Sequence, residues 1–183
     1  MYKVDSETGL LVGATQLASP NCDSRPLNSS ISLIVVHGIS LPPADFGGNY
    51  IDDFFTNTLD CSQHNYFEEI KDLKVSSHLL INRMGEVKQF VPFSKRAWHA
   101  GVSTFDGVEC CNDFSIGIEL EGTDDIAYTD IQYRVLADVC KLLLEAYPSI
   151  GPENIVGHCD IAPGRKTDPG ESFDWQRFKA KIA

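Results

Sequence analysis

The chain lacks any run of about 18 consecutive apolar residues, the length that a membrane-spanning helix needs, so we expect no membrane partner. It also lacks an excess of basic residues: 15 Lys and Arg stand against 26 Asp and Glu, a formal net charge of −11 at pH 7. Nonspecific nucleic-acid binding depends on clustered Lys and Arg, so we expect no nucleic-acid partner. An anionic ligand in a locally basic pocket is still compatible with this charge, because salt screens charges over ~8 Å.

Two further patterns are missing. The six cysteines form no Cys-x-x-Cys pair, which disfavours a zinc knuckle and a thioredoxin-type site. The N-terminal sequence MYKVDSETGL has no basic stretch followed by an apolar segment, the pattern of a signal peptide. We therefore expect a cytoplasmic protein with reduced thiols.

The composition that is present is that of an ordinary globular protein, with 43% hydrophobic and 22% charged residues. A length of 183 residues without repeats or linkers predicts a single domain over residues 1–183. Strand-like and helix-like segments alternate along the chain, which predicts an α/β or α+β fold with a mixed central β-sheet flanked by helices.

Four segments carry the clearest structural signals. The run SLIVVH at 32–37 predicts a strand buried on both faces, and the alternating FSIGIELEG at 114–122 predicts another. Residues 129–147 predict a helix with a capping box at its start. Residues 38–66 are rich in Gly, Pro, Asn and Asp, which is typical of a binding loop or lid.

Two of the five histidines share an unusual context, since His37 ends the first apolar strand and His158 follows a short strand over 154–156. Asp168 lies ten residues after His158, in a turn-rich loop. Two histidines and one carboxylate leave a fourth position for water, which is the donor set of a catalytic zinc site. Structural histidines that only form hydrogen bonds are the alternative, because this spacing by itself matches no motif.

A thiol hydrolase is a second alternative, because Cys159 directly follows His158. On an extended strand these two side chains would point to opposite faces and could not form a nucleophile–base pair. The chain also has no recognisable cysteine–histidine signature, so we favour the metal site.

Other candidate residues surround this predicted site. Glu119 and Glu121 share one face of their strand, and either one suits the role of general base. Lys166, two residues before Asp168, is placed to stabilise an oxyanion if Asp168 binds metal. Solvated side chains are the alternative for all three. The segment Trp98-His99 beside small residues suits a groove for a sugar ring or a peptide backbone.

Together these segments resemble the zinc-dependent N-acetylmuramoyl-L-alanine amidases of the peptidoglycan-recognition type, and within them the branch that acts on 1,6-anhydromuramyl peptides. The resemblance spans most of the chain, from about residue 10 to the end. The four matching segments are LIVVHGISLPPADFGG, VSSHLLINRMGEVKQFVPFSKRAWHAGVS, CNDFSIGIELEGTD and GHCDIAPGRKTDPG. The last two of these are the most specific.

The resemblance implies a peptidoglycan-recognition-protein-like amidase fold with one zinc ion per chain, held by His37, His158 and Asp168. It implies that Glu119 and Lys166 are catalytic. The site residues that it implies for substrate binding are Trp98, His99, Lys74 and Arg165. The implied reaction cuts the amide bond between the lactyl group of 1,6-anhydro-N-acetylmuramic acid and L-alanine, during peptidoglycan recycling, by a monomeric enzyme.

Three positions depart from the family pattern. Gly38 stands where an asparagine often follows the first ligand, and Lys74 and Cys110 replace arginines. Lys74 keeps the charge but loses the two-pronged geometry with which arginine binds carboxylates. These departures bear on substrate contacts and leave the predicted metal ligands intact.

Two other functions remain open. A muropeptide-binding module without catalysis is one, although all three predicted ligands are present. An amidase of phage or envelope origin that cuts polymeric peptidoglycan is the other, which the missing export signal and wall-anchoring domain disfavour.

Overall fold

The computed structural model describes residues 2–182. Its strands are β1 (Lys3–Asp5), β2 (Leu10–Val12), β3 (Thr15–Gln16), β4 (Cys22–Ser24), β5 (Leu33–Ile39), β6 (Leu79–Ile81), β7 (Val87–Gln89), β8 (Lys95–Ala97), β9 (Thr104–Phe105), β10 (Val108–Glu109), β11 (Ser115–Glu121) and β12 (Ile155–Gly157). Its helices are α1 (Tyr50–Phe55), α2 (Asn65–Ile70), α3 (Asp130–Ala146), α4 (His158–Ile161) and α5 (Trp175–Ile182).

Six of the strands form the central sheet, in the order β12-β5-β11-β6-β7-β3. The first four of these are parallel, and β7 runs antiparallel to β6. The other strands form three separate pairs, β1–β2, β4–β8 and β9–β10. The predicted mixed central sheet is therefore confirmed.

Helices cover both faces of this sheet. On one face, α3 and α5 pack against alternate residues of the central strands, among them Ile116, Ile118 and Leu120 of β11. On the other face, α1 and α2 pack against residues such as Leu80 and Phe90. Each helix of residues 2–182 is too short or too polar to span a bilayer.

Helix α3 begins as the sequence predicts. The Oγ1 atom of Thr129 accepts a hydrogen bond from the backbone N–H of Gln132, and the Gln132 side chain accepts one from the backbone N–H of Thr129. This reciprocal capping satisfies two of the donors that a helix start leaves free. The apolar stripe of the helix then buries Leu136, Val139 and Leu143 against the sheet.

Strand register brings the chemically interesting residues into one row. His37 of β5 lies directly beside Glu119 of β11, and Gly157 of β12 lies beside Val36 of β5. His158, which follows Gly157, therefore reaches the same level of the sheet as His37. In a parallel sheet such a row at the carboxyl ends of the strands is the usual place for a ligand site.

One local prediction differs from the structure. The sequence suggests that His158 and Cys159 lie on an extended strand, whereas β12 ends at Gly157 and His158 begins the short helix α4. The backbone N–H of Gly157 donates to the Asp160 carboxylate at 2.7 Å, which supports the start of that helix. The opposite-face argument for His158 and Cys159 therefore does not apply.

Candidate active site

Three predicted ligands converge on one point of the sheet face opposite α3. The Nδ1 atoms of His37 and His158 lie 3.0 Å apart. The Oδ2 atom of Asp168 lies 3.1 Å from His158 Nδ1 and 3.3 Å from His37 Nδ1. The loop that carries Asp168 is tied to α4, because the backbone N–H of Cys159 donates to the carbonyl oxygen of Asp168 at 3.0 Å.

The contacts of His158 decide which of its nitrogens carries the proton. Its Nε2 atom lies 3.1 Å from the carbonyl oxygen of Ala100, which can only accept a hydrogen bond. A neutral His158 therefore holds its proton on Nε2, and its Nδ1 lone pair faces His37 and Asp168. An outer hydrogen bond of this kind is the usual means of orienting a metal-binding imidazole.

The protonation states of the other two residues also suit a cation. Burial lowers the pKa of His37 to about 4, although its hydrogen bond to Asp168 opposes this, so the imidazole is neutral at pH 7. Burial by itself would raise the pKa of Asp168, but its close contacts with the imidazoles of His158 and His37 outweigh burial and bring the pKa well below its ordinary value. The carboxylate is therefore ionised.

The donor set and its spacing fit a zinc ion. Ligand atoms at about 2.0–2.1 Å from a tetrahedral zinc ion lie about 3.3 Å from one another, close to the 3.0–3.3 Å that separates these three atoms. Among residues 2–182 this is the one group of three or more His, Cys, Asp or Glu side chains with ligand atoms close enough to share an ion.

Glu119 lies beside this cluster as a buried carboxyl group. It is 8% exposed, and its Oε2 atom has no hydrogen-bond partner among the described residues. Burial raises the pKa of Glu119 well above its ordinary value, and the negative charge of Asp168 adds to this while Lys166 opposes it. A carboxyl group with a raised pKa and no protein partner suits proton transfer near neutral pH.

Glu121 shares the strand face of Glu119 but occupies a different environment. Its Oε1 atom accepts a hydrogen bond from the backbone N–H of Gly47 at 2.5 Å, and its Oε2 atom accepts one from the backbone N–H of Arg83 at 3.0 Å. The guanidinium of Arg83 lies over the ring of Phe46, 4.7 Å from its centroid. Glu121 therefore holds the 40–49 loop against the sheet and has no free oxygen facing the metal cluster.

This contrast predicts a structural role for Glu121. Glu121→Ala leaves two backbone donors without their acceptor, so we expect the free energy of unfolding to fall by about 1–3 kcal/mol. Denaturant unfolding measures this loss. Turnover on a muropeptide at saturating substrate is expected to stay within a few-fold of wild type, and a loss as large as that of a Glu119 variant would contradict this assignment.

A cleft of about 730 Å³ opens in front of the metal cluster. His99, Glu119, Arg165 and Lys166 line it together with the three predicted ligands. The structure therefore brings together most of the predicted site residues. Two residues predicted to bind substrate do not line the cleft: Trp98 is half-buried beside His99, and Lys74 is exposed between Leu73 and Val75, which do line it.

Arg165 is held by the backbone of the neighbouring loop. One of its terminal nitrogens donates to the carbonyl oxygens of Ala100 and Val102 at 2.6 and 2.7 Å. The same Ala100 carbonyl accepts from His158, so Arg165 also supports the orientation of that imidazole. Arg165 therefore lies in the lining of the cleft with a fixed side chain, and its substrate-binding role stays a prediction.

Several residues that line the cleft or pack against its lining carry no recognisable signal in the sequence. Tyr128 is buried, and its hydroxyl donates to the carbonyl oxygen of Pro169 at 2.9 Å. A Cβ atom at Gly38 would overlap that hydroxyl, so the glycine that departs from the family pattern makes room for Tyr128. An apolar wall at the far end of the cleft comprises Phe54, Phe55, Tyr66, Ile70, Leu73 and Val75. Only the aromatic content of the 38–66 segment points toward it.

The cysteines give no support to a thiol hydrolase. All six are free thiols. Burial raises the pKa of Cys159, and the nearby carboxylates of Asp160 and Asp168 raise it further. A nucleophilic cysteine needs the opposite, a lowered pKa that populates the thiolate.

Comparison with known proteins agrees with this geometry. Residues 27–171 match the model of the N-acetylmuramoyl-L-alanine amidase family. The chain is 58% identical over 177 residues to 1,6-anhydro-N-acetylmuramyl-L-alanine amidase AmpD of Escherichia coli (strain K12), covering 97% of this chain and 96% of that protein.

Solved structures show the same fold. A selenomethionine crystal structure of AmpD superimposes with a TM-score of 0.93 at 58% identity, covering 96% of this chain and 98% of that one. AmiD of Escherichia coli, solved as a complex with the substrate anhydro-N-acetylmuramic acid-L-Ala-D-γ-Glu-L-Lys, superimposes with a TM-score of 0.60 at 31% identity, covering 86% of this chain and 60% of that one. The predicted amidase fold is thereby confirmed.

Proposed function

The chain belongs to the N-acetylmuramoyl-L-alanine amidase family, and from that premise we propose that it is a zinc-dependent hydrolase of anhydromuramyl peptides. The bond cut is the amide between the lactyl group of 1,6-anhydro-N-acetylmuramic acid and L-alanine, as a step in peptidoglycan recycling. The observation that carries this proposal is the convergence of two imidazole nitrogens and a carboxylate oxygen at 3.0–3.3 Å, beside the buried carboxyl group of Glu119, whose Oε2 atom has no partner among residues 2–182.

The proposed ligands of the zinc ion are His37, His158 and Asp168, with one ion per chain. Two imidazole nitrogens and a carboxylate oxygen lie close together in this buried site, an arrangement that a bound cation would stabilise. When bound there, zinc supplies Lewis acidity, which acidifies water and polarises a carbonyl group.

Glu119 is the proposed general base and acid. It takes a proton from the attacking water, and it returns that proton to the nitrogen of L-alanine as the carbon–nitrogen bond breaks. Taking the proton needs the ionised carboxylate, and returning it needs a carboxyl group that holds a proton near neutral pH, which the raised pKa of Glu119 favours. Glu121 is not proposed for this role, since both of its oxygens accept backbone hydrogen bonds.

Lys166 is the proposed electrostatic partner of the reaction. Its side chain lines the cleft and is close enough to influence the pKa values of both His37 and Glu119. An ammonium group beside the reacting carbonyl stabilises the negative charge that develops on the carbonyl oxygen. In this proposal the chain itself contributes a base, Glu119, and a cation, Lys166.

Substrate contacts are proposed for Arg165, which lines the cleft, and for Trp98 and Lys74, which are next to lining residues in the chain. His99 also lines the cleft. The volume of about 730 Å³ suits a ligand of the size of a sugar with a short peptide. The resemblance to AmpD, and to AmiD solved with an anhydromuramyl tripeptide, supports that class of substrate.

Mass spectrometry of the products tests the proposal. Incubation with an anhydromuramyl tripeptide is expected to yield free anhydro-N-acetylmuramic acid and the intact tripeptide. Exhaustive chelation is expected to abolish the reaction, and added zinc is expected to restore it. Unchanged activity in protein shown to be metal-free by elemental analysis would contradict the zinc site.

Two other outcomes would reassign the function. Binding of the tripeptide without cleavage, in protein loaded with zinc, would indicate a muropeptide-binding module. Preferential cleavage of polymeric peptidoglycan over the anhydromuramyl peptide would indicate a wall-degrading amidase. We also propose one catalytic domain over residues 1–183; the monomeric state and the cytoplasmic location stay predictions.

A further inference from the structure

A chain of buried hydrogen-bonding groups lies behind His37. The Nε2 atom of His37 lies 2.9 Å from Nδ1 of His99, and the Nε2 atom of His99 lies 3.0 Å from Oγ of Ser115. The three residues are 1%, 8% and 0% exposed, so water does not compete for these contacts. Although His99 reaches the floor of the cleft, both of its ring nitrogens already have protein partners.

The position of one proton determines all the others in this chain. To bind a cation through Nδ1, a neutral His37 must carry its proton on Nε2, which then donates to Nδ1 of His99. A neutral His99 that accepts at Nδ1 must carry its own proton on Nε2. That proton is donated to the Ser115 hydroxyl, which can accept it because a hydroxyl both donates and accepts.

We propose that His99 and Ser115 are positioning residues that hold His37 in the tautomer able to bind zinc. The inference rests on the proposed zinc-dependent function and adds to it the groups that prepare the site for metal. Two consecutive residues orient the two proposed imidazole ligands: the side chain of His99 orients His37, and the backbone carbonyl of Ala100 orients His158.

Neighbouring residues hold the backbone of His99 in place and leave space for its ring. The Oδ1 atom of Asn112 accepts the backbone N–H groups of His99 and Ala100 at 3.1 and 2.8 Å, which fixes both residues. Gly117 lies between Ser115 and Glu119 on the same strand face, and a Cβ atom there would come within 2.5 Å of the His99 ring. The glycine therefore leaves the space that the ring occupies.

The neighbouring His78 does not belong to this chain of contacts. Its Nδ1 atom accepts the backbone N–H of Gly117, and its Nε2 atom lies 3.1 Å from the carbonyl oxygen of Lys95. These partners fix His78 as a structural residue. The orientation of His37 thus depends on His99 and Ser115.

Zinc affinity, measured by competition with a chelator at fixed pH, tests the inference. His99→Leu removes the acceptor for His37 and is expected to weaken zinc binding about 10–100-fold. Ser115→Ala, which removes only the last group, is expected to weaken it about 10-fold. His99→Gln is expected to recover most of the affinity, because the amide oxygen can accept from His37 and the amide nitrogen can donate to Ser115.

Ser77→Ala is the matched control. Ser77 is another fully buried serine, and its hydroxyl has no hydrogen-bond partner within residues 2–182. Its removal is expected to leave zinc affinity unchanged. Equal zinc affinity in wild type, His99→Leu and Ser115→Ala would overturn the inference.

Nitrogen-15 NMR of the zinc-loaded wild-type protein gives a readout that does not depend on any variant. We expect the ring protons of both His37 and His99 on Nε2, and a His99 proton on Nδ1 would overturn the assignment. A wild-type protein that takes up no zinc would refute the proposed function and this inference together. If wild type binds zinc and His99→Leu binds it equally tightly, this inference is refuted but the proposed function is not.

Discussion

Glu119→Gln is expected to lower kcat about 10²–10⁴-fold on an anhydromuramyl peptide, the contribution that general acid–base catalysis typically makes. Glutamine has nearly the same shape but cannot take a proton from water or return one to the leaving amine. Glu119 lines the cleft, and its buried Oε2 atom has no hydrogen-bond partner among residues 2–182, so we expect no other side chain to replace it. Steady-state kinetics with the zinc-loaded variant measures the effect.

Glu121→Gln is the matched control for this experiment. It makes the same chemical change two residues away on the same strand face, at a carboxylate that only accepts backbone hydrogen bonds. Its kcat is expected to stay close to that of wild type. An equal loss of kcat in the two variants would show that the effect is not specific to Glu119. A wild-type kcat in Glu119→Gln would exclude Glu119 as the general base.

A stability measurement separates loss of chemistry from loss of folding. The pKa of Glu119 is raised in the folded protein, so above its ordinary value of 4.5 the unfolded chain releases a proton that the folded protein retains. This difference weakens folding as the pH rises. Glutamine has no such proton, so metal-free Glu119→Gln is expected to be more stable than metal-free wild type at pH 7, with the difference shrinking toward pH 4.5.

Lys166→Met is expected to lower kcat about 10²–10³-fold, the loss seen when one oxyanion-stabilising donor is removed. Methionine keeps a long flexible side chain but removes the charge that, in the proposed mechanism, stabilises the carbonyl oxygen in the transition state. Because Lys166 acts on charge that develops only during the reaction, kcat is expected to fall much more than KM changes.

Lys141→Met is the control for Lys166→Met. Lys141 is an exposed lysine of α3, on the opposite side of the sheet from the cleft. Lys141→Met removes the same charge, and its kcat and KM are expected to equal those of wild type. A Lys166→Met enzyme with normal kcat and raised KM would instead assign Lys166 to substrate binding.

Much of the fold follows from local patterns in the sequence. Apolar runs and strict alternation predict β5 and β11, and an apolar stripe with a capping box predicts α3. Local patterns do not predict that a helix begins at His158. The Asp160 carboxylate accepts the backbone N–H of Gly157 and so favours that helix start, which the apolar run before it does not reveal. Strand-end context suggests the grouping of the three proposed ligands and leaves structural histidines as an alternative, because residues so far apart in the chain match no local motif. The family resemblance then favours the metal site.

The sequence by itself determined which residues face which side of the sheet, because alternation along a strand is a local property of the backbone. Strand periodicity does not distinguish Glu119 from Glu121, which share a face, although the family resemblance implies Glu119. The tertiary structure supplies the physical reason, because it brings the backbone N–H groups of Gly47 and Arg83 onto Glu121 and leaves Glu119 Oε2 without a partner among residues 2–182. Such partners lie 74 and 38 residues away from Glu121 in the chain, so loop packing, and not sequence periodicity, decides where they meet.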